Sequence, residues 1–295
     1  NVLNILITGS NGQVGTAFLN QASKLDYKCI PLNRKLWDMS KSPRNGNEII
    51  LEIKPDLVIN AAAYTNVDAA ENNKSLAHNV NSVAPKFLAR GCEKLGIPLL
   101  HISTDFVFDG SKEGSYLETD LSSPINVYGN SKLSGEKAIQ SETKNTLILR
   151  TSWVFSKSKK NFVTTILNLV NSDPIINVVD DQFGCPTSSD CVASTILKII
   201  PIYIKNKKSF SGLYHYGGMP VVSRYEFAKS IISSAKLNSS VKLEPYSSKN
   251  YNSQAKRPKN TAISSDKINS VFNVSPCNWK KELTRYLNDF KILKP

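Results

Sequence analysis

Val2-Leu3-Asn4-Ile5-Leu6-Ile7-Thr8-Gly9-Ser10-Asn11-Gly12-Gln13-Val14-Gly15 decides the fold of this chain. The run from Val2 to Thr8 is apolar and rich enough in β-branched residues for a strand buried on both faces, as strands of parallel sheets are. Three glycines, three residues apart, then lead into an amphipathic stretch that ends near Lys24. Glycine at such positions lets the turn close tightly, lets backbone approach a pyrophosphate, and lets helix pack on strand. The amides and dipole at the start of the helix then hold the phosphate charge. With a strand before it and a helix after it, the spacing becomes a dinucleotide-binding signal. Gly9, Gly12, Gln13, Val14 and Gly15 are its expected contacts.

Outward from this stretch, apolar runs alternate with helical spacing. Lys28–Leu32 reads as a second strand, Asp56–Ala61 as a third after the Pro55-Asp56 turn, Pro98–Ser103 as a fourth and Thr146–Arg150 as a fifth. Leu76–Leu95 has helical spacing and stops at Gly96, and Asn126–Gln140 reads as another helix. Beyond Trp153 the strands become short and isolated (Ile175–Val179, Gly212–Tyr216, Val241–Glu244), between helices near 189–203, 223–236 and 278–290. The expectation is an α/β protein: a Rossmann-type doubly wound parallel sheet with a smaller mixed α/β substrate-binding lobe. Residues 1–153 form the NAD(P)-binding domain with the catalytic residues, and 154–295 are mainly the lobe, some segments being free to return to the first domain.

The end of the second strand bears on the cofactor, because a carboxylate there binds a ribose 2′-hydroxyl and a basic residue suits a 2′-phosphate. It reads Leu32-Asn33-Arg34-Lys35, without an acid. NADPH is therefore expected, with NADH the alternative, Arg34 at the phosphate and Asp38 and Met39 near the adenine. Ala61, Ala62, Ala63 and Tyr64 follow a strand end and are small enough at first to admit ribose and nicotinamide closely.

The 295 residues, 40% of them hydrophobic, suffice for a large core. No run of about 18 apolar residues announces a membrane span, and the opening residues lack a signal-peptide pattern, so a cytoplasmic location is expected. The five cysteines form no CxxC pair and read as reduced thiols. His78, His101 and His215 are too scattered to suggest a metal site, and no metal is expected. Net charge is +13, from 37 basic and 24 acidic residues. The basic residues are spread through the chain without a nucleic-acid-binding pattern, so the charge suits steering of a small anionic substrate into a cleft.

Tyr-x-x-x-Lys occurs as Tyr128–Lys132, Tyr203–Lys207 and Tyr225–Lys229. Only Tyr128 opens a helix inside the dinucleotide-binding half, after a strand ending in Ser103-Thr104-Asp105. Tyr203–Lys207 reads as a solvated helix end and Tyr225–Lys229 as packing in the second lobe. Residues four apart share a helix face, so the Lys132 ammonium is expected near the Tyr128 phenol, lowering its pKa. Tyr128 then donates a proton to a carbonyl oxygen held by the Thr104 hydroxyl. Lys132 can also bond the nicotinamide ribose.

Taken in order, Gly9-xx-Gly12-xx-Gly15, Ala61-Ala-Ala-Tyr64-Thr-Asn-Val-Asp68, Ser103-Thr104-Asp105-Phe-Val-Phe-Asp109-Gly110, Tyr128-Gly-Asn-Ser-Lys132, Arg150-Thr-Ser-Trp153-Val-Phe and Asp181-Gln182-Phe-Gly184-Cys-Pro186-Thr187 span most of the chain. Together they resemble the dTDP-4-dehydrorhamnose reductases of the extended short-chain dehydrogenase/reductase family. The resemblance implies reduction of the C4 ketone of dTDP-6-deoxy-L-lyxo-4-hexulose, a step toward cell-surface polysaccharide. It further implies substrate contacts at Thr104, Asp105 and Trp153, the last beside the base, and a substrate mouth at Gln182, Pro186 and Thr187. Arg257 would suit the diphosphate through bidentate bonds. Some relatives dimerise around magnesium held by glutamates. Thr16 and Ala17 supply no ligand at the first of these positions, and Asp190 and Asp289 are the acids that would align with the others, so a homodimer is compatible with the resemblance and a metal bridge is not the expectation. The loop Ser156–Lys160 departs from the family's usual glycine. Two rivals remain: a sugar-nucleotide epimerase or dehydratase of the same fold, although Asp105-Phe106 replaces the dehydratase Asp-Glu, and a noncatalytic NADP-binding regulatory subunit, which would be expected to lose the triad.

Overall fold

A computed structural model describes residues 2–157, 159–235, 241–250 and 252–292, the last four as helical backbone only. Six parallel strands form the central sheet: β1 (Leu3–Thr8), β2 (Tyr27–Leu32), β3 (Leu57–Asn60), β4 (Leu99–Thr104), β5 (Thr146–Thr151) and β6 (Gly212–Tyr216). Their spatial order is β6-β5-β4-β3-β1-β2. The winding reverses between β1 and β3, which opens a crevice at the carboxyl ends of the strands, where such sheets bind ligands.

The helices that matter for the site are α1 (Gln13–Ala22), α2 (Gly46–Ile53), α3 (Ala84–Leu95), α4 (Val127–Glu142), α5 (Phe162–Ser172), α6 (Ser189–Lys205), α7 (Arg224–Ser234) and α8 (Trp279–Ile292). Alternation along each strand divides the core between the two faces of the sheet. Ile5 and Ile7 of β1 join Phe18 of α1, Ile196 of α6 and, farther out, Phe227 and Trp279 of the second lobe. Leu6, between them in sequence, joins Ile50 of α2, Leu88 and Cys92 of α3 and Ile139 of α4. A smaller cluster of Val107, Phe108, Tyr116, Cys185 and Ile263 ties the end of β4 to the second half of the chain.

The sequence places Gly212–Tyr216 among the isolated strands of the lobe, yet it pairs in parallel with β5 as the sixth strand of the main sheet. Its Tyr-His-Tyr pattern carries polar tips, so no apolar run advertises its position, although Tyr214, His215 and Tyr216 are all buried. The helix leading to it, α6, packs on α1. Most other expected elements fall within a few residues of their reading; Val241–Glu244 is displaced to Lys242–Tyr246. The expected helix at 223–236 is observed from Arg224 to Ser234, with residue 236 outside the described set. Leu76–Leu95 does not run as one regular helix. An α-turn at Lys74–His78 passes into a π-helical turn at Asn79–Val83 before α3 begins, and Gly96 caps α3 with φ 65°.

In the lobe, strand pairs Ile175–Val179 with Lys242–Tyr246 and Phe183–Gly184 with Val222–Ser223 frame α5, α7 and α8. Phe227 is the hub, with the rings of Phe162 at 5.5 Å and Trp279 at 5.3 Å. Among the described residues no helix is long and apolar enough to cross a membrane.

Candidate active site

A cavity of about 600 Å³ lies at the carboxyl ends of the strands, lined by Gly9 and Gly12, the end of β2, Ala61–Thr65, Ile102–Phe106, Tyr128, Lys132, Trp153 and Arg224. Gly9 has φ +65°, and a Cβ there would sit 2.6–2.7 Å from the backbone of Ala61 and Ala62. The glycine turn and the segment after β3 therefore form one continuous backbone wall, which any side chain would push apart. The Gly12 amide donates to the Gly9 carbonyl at 2.8 Å. Gly12 then caps α1 without a side-chain bond, leaving the first helix amides for an anion. Gln13 and Val14 line the same wall, with Gln13 Nε2 donating to the Val154 carbonyl at 3.4 Å.

Arg34, Asp38 and Met39 line the other end. The Arg34 side chain is 76% exposed and makes a 3.4 Å ion pair with Asp38. Asp38 itself is taken up by Ser40, whose hydroxyl is the first cause of its lowered pKa, with Arg34 adding to it. A tight glycine turn, open helix amides and a guanidinium at the rim fit a dinucleotide, and the guanidinium fits a phosphate on its ribose.

Thr104 ends β4, and Tyr128 and Lys132 lie one turn apart on α4; all three line the cavity. Asn126 starts α4 by accepting the Gly129 amide at 2.8 Å, and Glu71 accepts the Val127 amide at 2.9 Å. A Cβ on Gly135 would lie 2.0 Å from the Asn81 carbonyl oxygen, so α4 rests directly on the π-turn. That turn aims Asn81 inward: its side chain accepts the Tyr64 amide at 2.8 Å and donates to the Tyr64 carbonyl at 3.0 Å and to Ser131 at 2.9 Å. Asn81 thus couples the cavity wall after β3 to α4. Sequence reading missed it, because a π-turn within a helical pattern has no simple signature.

The Lys132 ammonium is buried and donates to the Ile102 carbonyl at 2.6 Å. Burial lowers its pKa to about 8, against a smaller raising effect of Glu136. The expected lowering of the Tyr128 pKa is not found. Burial pushes the phenol up to about 12, Thr104 pulls it down, and Asp105 raises it. Phe106 packs edge-on against the Tyr128 ring at 5.8 Å. One turn past Lys132, Glu136 is held by Arg150 of β5 at 2.9 and 2.6 Å and by Ser103 of β4, all buried. Beneath the site, Thr8 donates to Asn60 at 2.6 Å, and Asn60 Nδ2 contacts His101 Nδ1 at 2.9 Å. Burial, then Lys132, holds the His101 pKa well below the usual value, so this histidine stays neutral.

The expected substrate residues separate into two groups. Asp105 and Trp153 line the cavity. Asp105 is buried, accepts Thr104 at 3.1 Å and Ser152 at 2.8 Å, and has its pKa raised chiefly by burial. Gln182, Pro186 and Thr187 are buried and do not line it. Thr187 spends its hydroxyl on the Cys185 carbonyl and the Gly218 amide, and the Gln182 carbonyl accepts the Arg224 amide. Arg257 does not line the cavity either; it is clamped to Asp68 by bonds of 3.1 and 2.7 Å.

Arg224, absent from the sequence reading, does line it. Its guanidinium lies 3.5 Å from the Trp153 ring centroid and 4.9 Å from that of Phe162, and burial lowers its pKa to about 9. Following the Ser223 cap, it reads as an ordinary surface residue of a first helical turn. Lys159 and Lys160, from the departing loop, also reach the cavity; Ser158 between them and Lys157 lies outside the described residues.

The other two Tyr-x-x-x-Lys pairs stay away from the cavity. Tyr203 is fully buried, not solvated, and Lys207 donates to the Gly96 carbonyl at 2.7 Å. Tyr225 lies 3.4 Å from the Leu243 carbonyl in the lobe. Asp190 is ion-paired with Arg285 at 2.8 Å, while the Asp289 side chain lies outside the described set. Among the described residues no group of three or more His, Cys, Asp or Glu side chains could hold a metal ion.

The family model described as the RmlD substrate binding domain matches residues 3–292. The dTDP-4-dehydrorhamnose reductase of Aggregatibacter actinomycetemcomitans is 37% identical over 291 residues, covering 95% of this chain and 96% of that one. A crystal structure of the Clostridium acetobutylicum dTDP-4-dehydrorhamnose reductase superposes with a TM-score of 0.90 at 32% identity, covering 98% of this chain and all of that one. That of Bacillus anthracis, in complex with NADP, matches with the same score, identity and coverage. With a family match along nearly its whole length, this chain belongs to the dTDP-4-dehydrorhamnose reductase family.

Proposed function

We propose that this protein reduces the C4 ketone of dTDP-6-deoxy-L-lyxo-4-hexulose to dTDP-L-rhamnose, using NADPH in preference to NADH. One observation carries the reading: Thr104, Tyr128 and Lys132 line a single cavity with a glycine turn built for pyrophosphate and a basic rim at Arg34. The NADP held by the Bacillus anthracis relative supports the choice of cofactor. When bound, the nicotinamide supplies the hydride.

The chain's own groups handle the proton. With a pKa near 12, Tyr128 holds its proton throughout the neutral range, which is the form needed to protonate a carbonyl oxygen. The Thr104 hydroxyl keeps that oxygen in line. The buried Lys132 ammonium offsets the charge left on Tyr128 after transfer. Substrate enters as an anion, drawn by the surplus of basic residues. The reading places the enzyme in the cytoplasm with a nucleotide sugar as its small-molecule partner.

The test is NADPH oxidation with the keto-sugar nucleotide, NADH run in parallel. Tyr128→Phe should lower kcat by about 100- to 10,000-fold and leave NADPH binding intact. Interconversion of sugar isomers without net NADPH consumption would replace the reductase reading with an epimerase one, and undiminished turnover in the variant would refute the mechanism.

A further inference from the structure

Arg224 is a cation at the cavity with its plane fixed and its donors unspent. Its guanidinium stacks on the Trp153 ring, 3.5 Å from the centroid, with the Phe162 ring on hand at 4.9 Å. A Cβ on Gly184 would lie 2.3 Å from the Trp153 ring, so the indole is itself held against backbone and cannot swing freely. A guanidinium stacked on an arene directs its N–H groups outward in its own plane. Among the described residues those N–H groups meet no hydrogen-bond or ion-pair acceptor. Asp105, the carboxylate whose charge reaches Arg224, is instead bonded to the hydroxyls of Thr104 and Ser152. A partly desolvated charge with open donors is costly to keep unless a ligand supplies the acceptors.

We infer that Arg224 grips the diphosphate of the nucleotide sugar through bidentate bonds, with Trp153 as the platform that sets its angle. The inference rests on the nucleotide-sugar reading given above. Position supports it: the diphosphate hangs from C1, one hexose ring from the reacting C4, and Arg224 and Thr104 share Asp105 as a neighbour. It also reassigns the diphosphate from Arg257, whose fork is already closed on Asp68. The indole consequently has one face occupied by a cation, so its part in recognition is to hold Arg224.

Isothermal titration of thymidine 5′-diphosphate and of thymidine into wild type, Arg224→Gln and Arg224→Lys tests this, with NADPH titrated into each as a check on the fold. Arg224→Gln should weaken the diphosphate by about 30-fold or more while thymidine and NADPH change little. Arg224→Lys should recover part of the loss, because it keeps the charge without the fork. Undiminished diphosphate binding in Arg224→Gln, an equal loss for thymidine, no diphosphate binding by wild type, or joint loss of NADPH binding in both variants would each overturn the inference. Turnover is scored separately. Arg224-dependent diphosphate binding without NADPH oxidation would sink the reductase reading alone, and turnover with Arg224-independent binding would sink this inference alone.

Discussion

Lys132 is where burial and chemistry compete most directly. In the proposed mechanism its ammonium must be charged to balance Tyr128, yet burial brings its pKa down to about 8. The sign is that of a depressed base: below about pH 8 the folded protein carries the charge, and above it the charge is lost. Between that value and the ordinary lysine value of 10.5 the folded state binds fewer protons than the unfolded chain. At this site stability therefore rises with pH in that window, while the proposed mechanism has activity fall. We expect kcat/KM to decline about tenfold per pH unit above roughly pH 8, with the limb displaced upward in Lys132→Arg. A flat profile to pH 10 would remove Lys132 from this role. The residues Thr104, Tyr128 and Lys132 were legible in sequence because strand-end and helix-face spacings are local. The Tyr128 pKa was not, since the desolvation that dominates it is imposed by the surrounding fold.

At the scale of elements, α4 is fixed by contacts from three directions. Gly135 lets it touch the π-turn, Asn126 starts it, and Glu136 binds it to β4 and β5 through Ser103 and Arg150. Breaking a buried ion pair by removing one partner leaves an uncompensated charge and costs about 3–5 kcal/mol. Arg150→Leu should lose that much stability in urea unfolding, and Glu136→Leu in the same protein should restore part of it. Full additivity of the two losses would show that the pair is not coupled. None of this network follows from spacing along the chain, because Ser103, Glu136 and Arg150 meet only when two strands and a helix pack. The sixth strand is likewise hidden in the sequence, since a polar-tipped run is recognised as part of the main sheet only once it pairs with β5.

For the molecule as a whole, the charge of +13 should make capture of an anionic substrate depend on salt. We expect kcat/KM to fall severalfold between about 0.02 and 0.5 M salt, with kcat nearly constant; a salt-independent kcat/KM would rule out steering. The Arg257–Asp68 clamp joins distant parts of the chain but is partly exposed. Arg257→Met should cost about 1 kcal/mol or less and leave the KM for the nucleotide sugar unchanged, the opposite of the expectation for Arg224. The sequence by itself determined the parallel sheet, the glycine turn, the strand-end and helix-face positions of Thr104, Tyr128 and Lys132, and the family resemblance, all carried by short-range patterns of hydrophobicity and spacing. Tertiary structure alone decided which side chains are free to act. Arg257 and Thr187 look available in sequence and are consumed by neighbours, while Arg224 looks ordinary and stands with open donors beside Trp153. Whether a polar group has a partner depends on residues far away in the chain, and only packing brings those partners within reach.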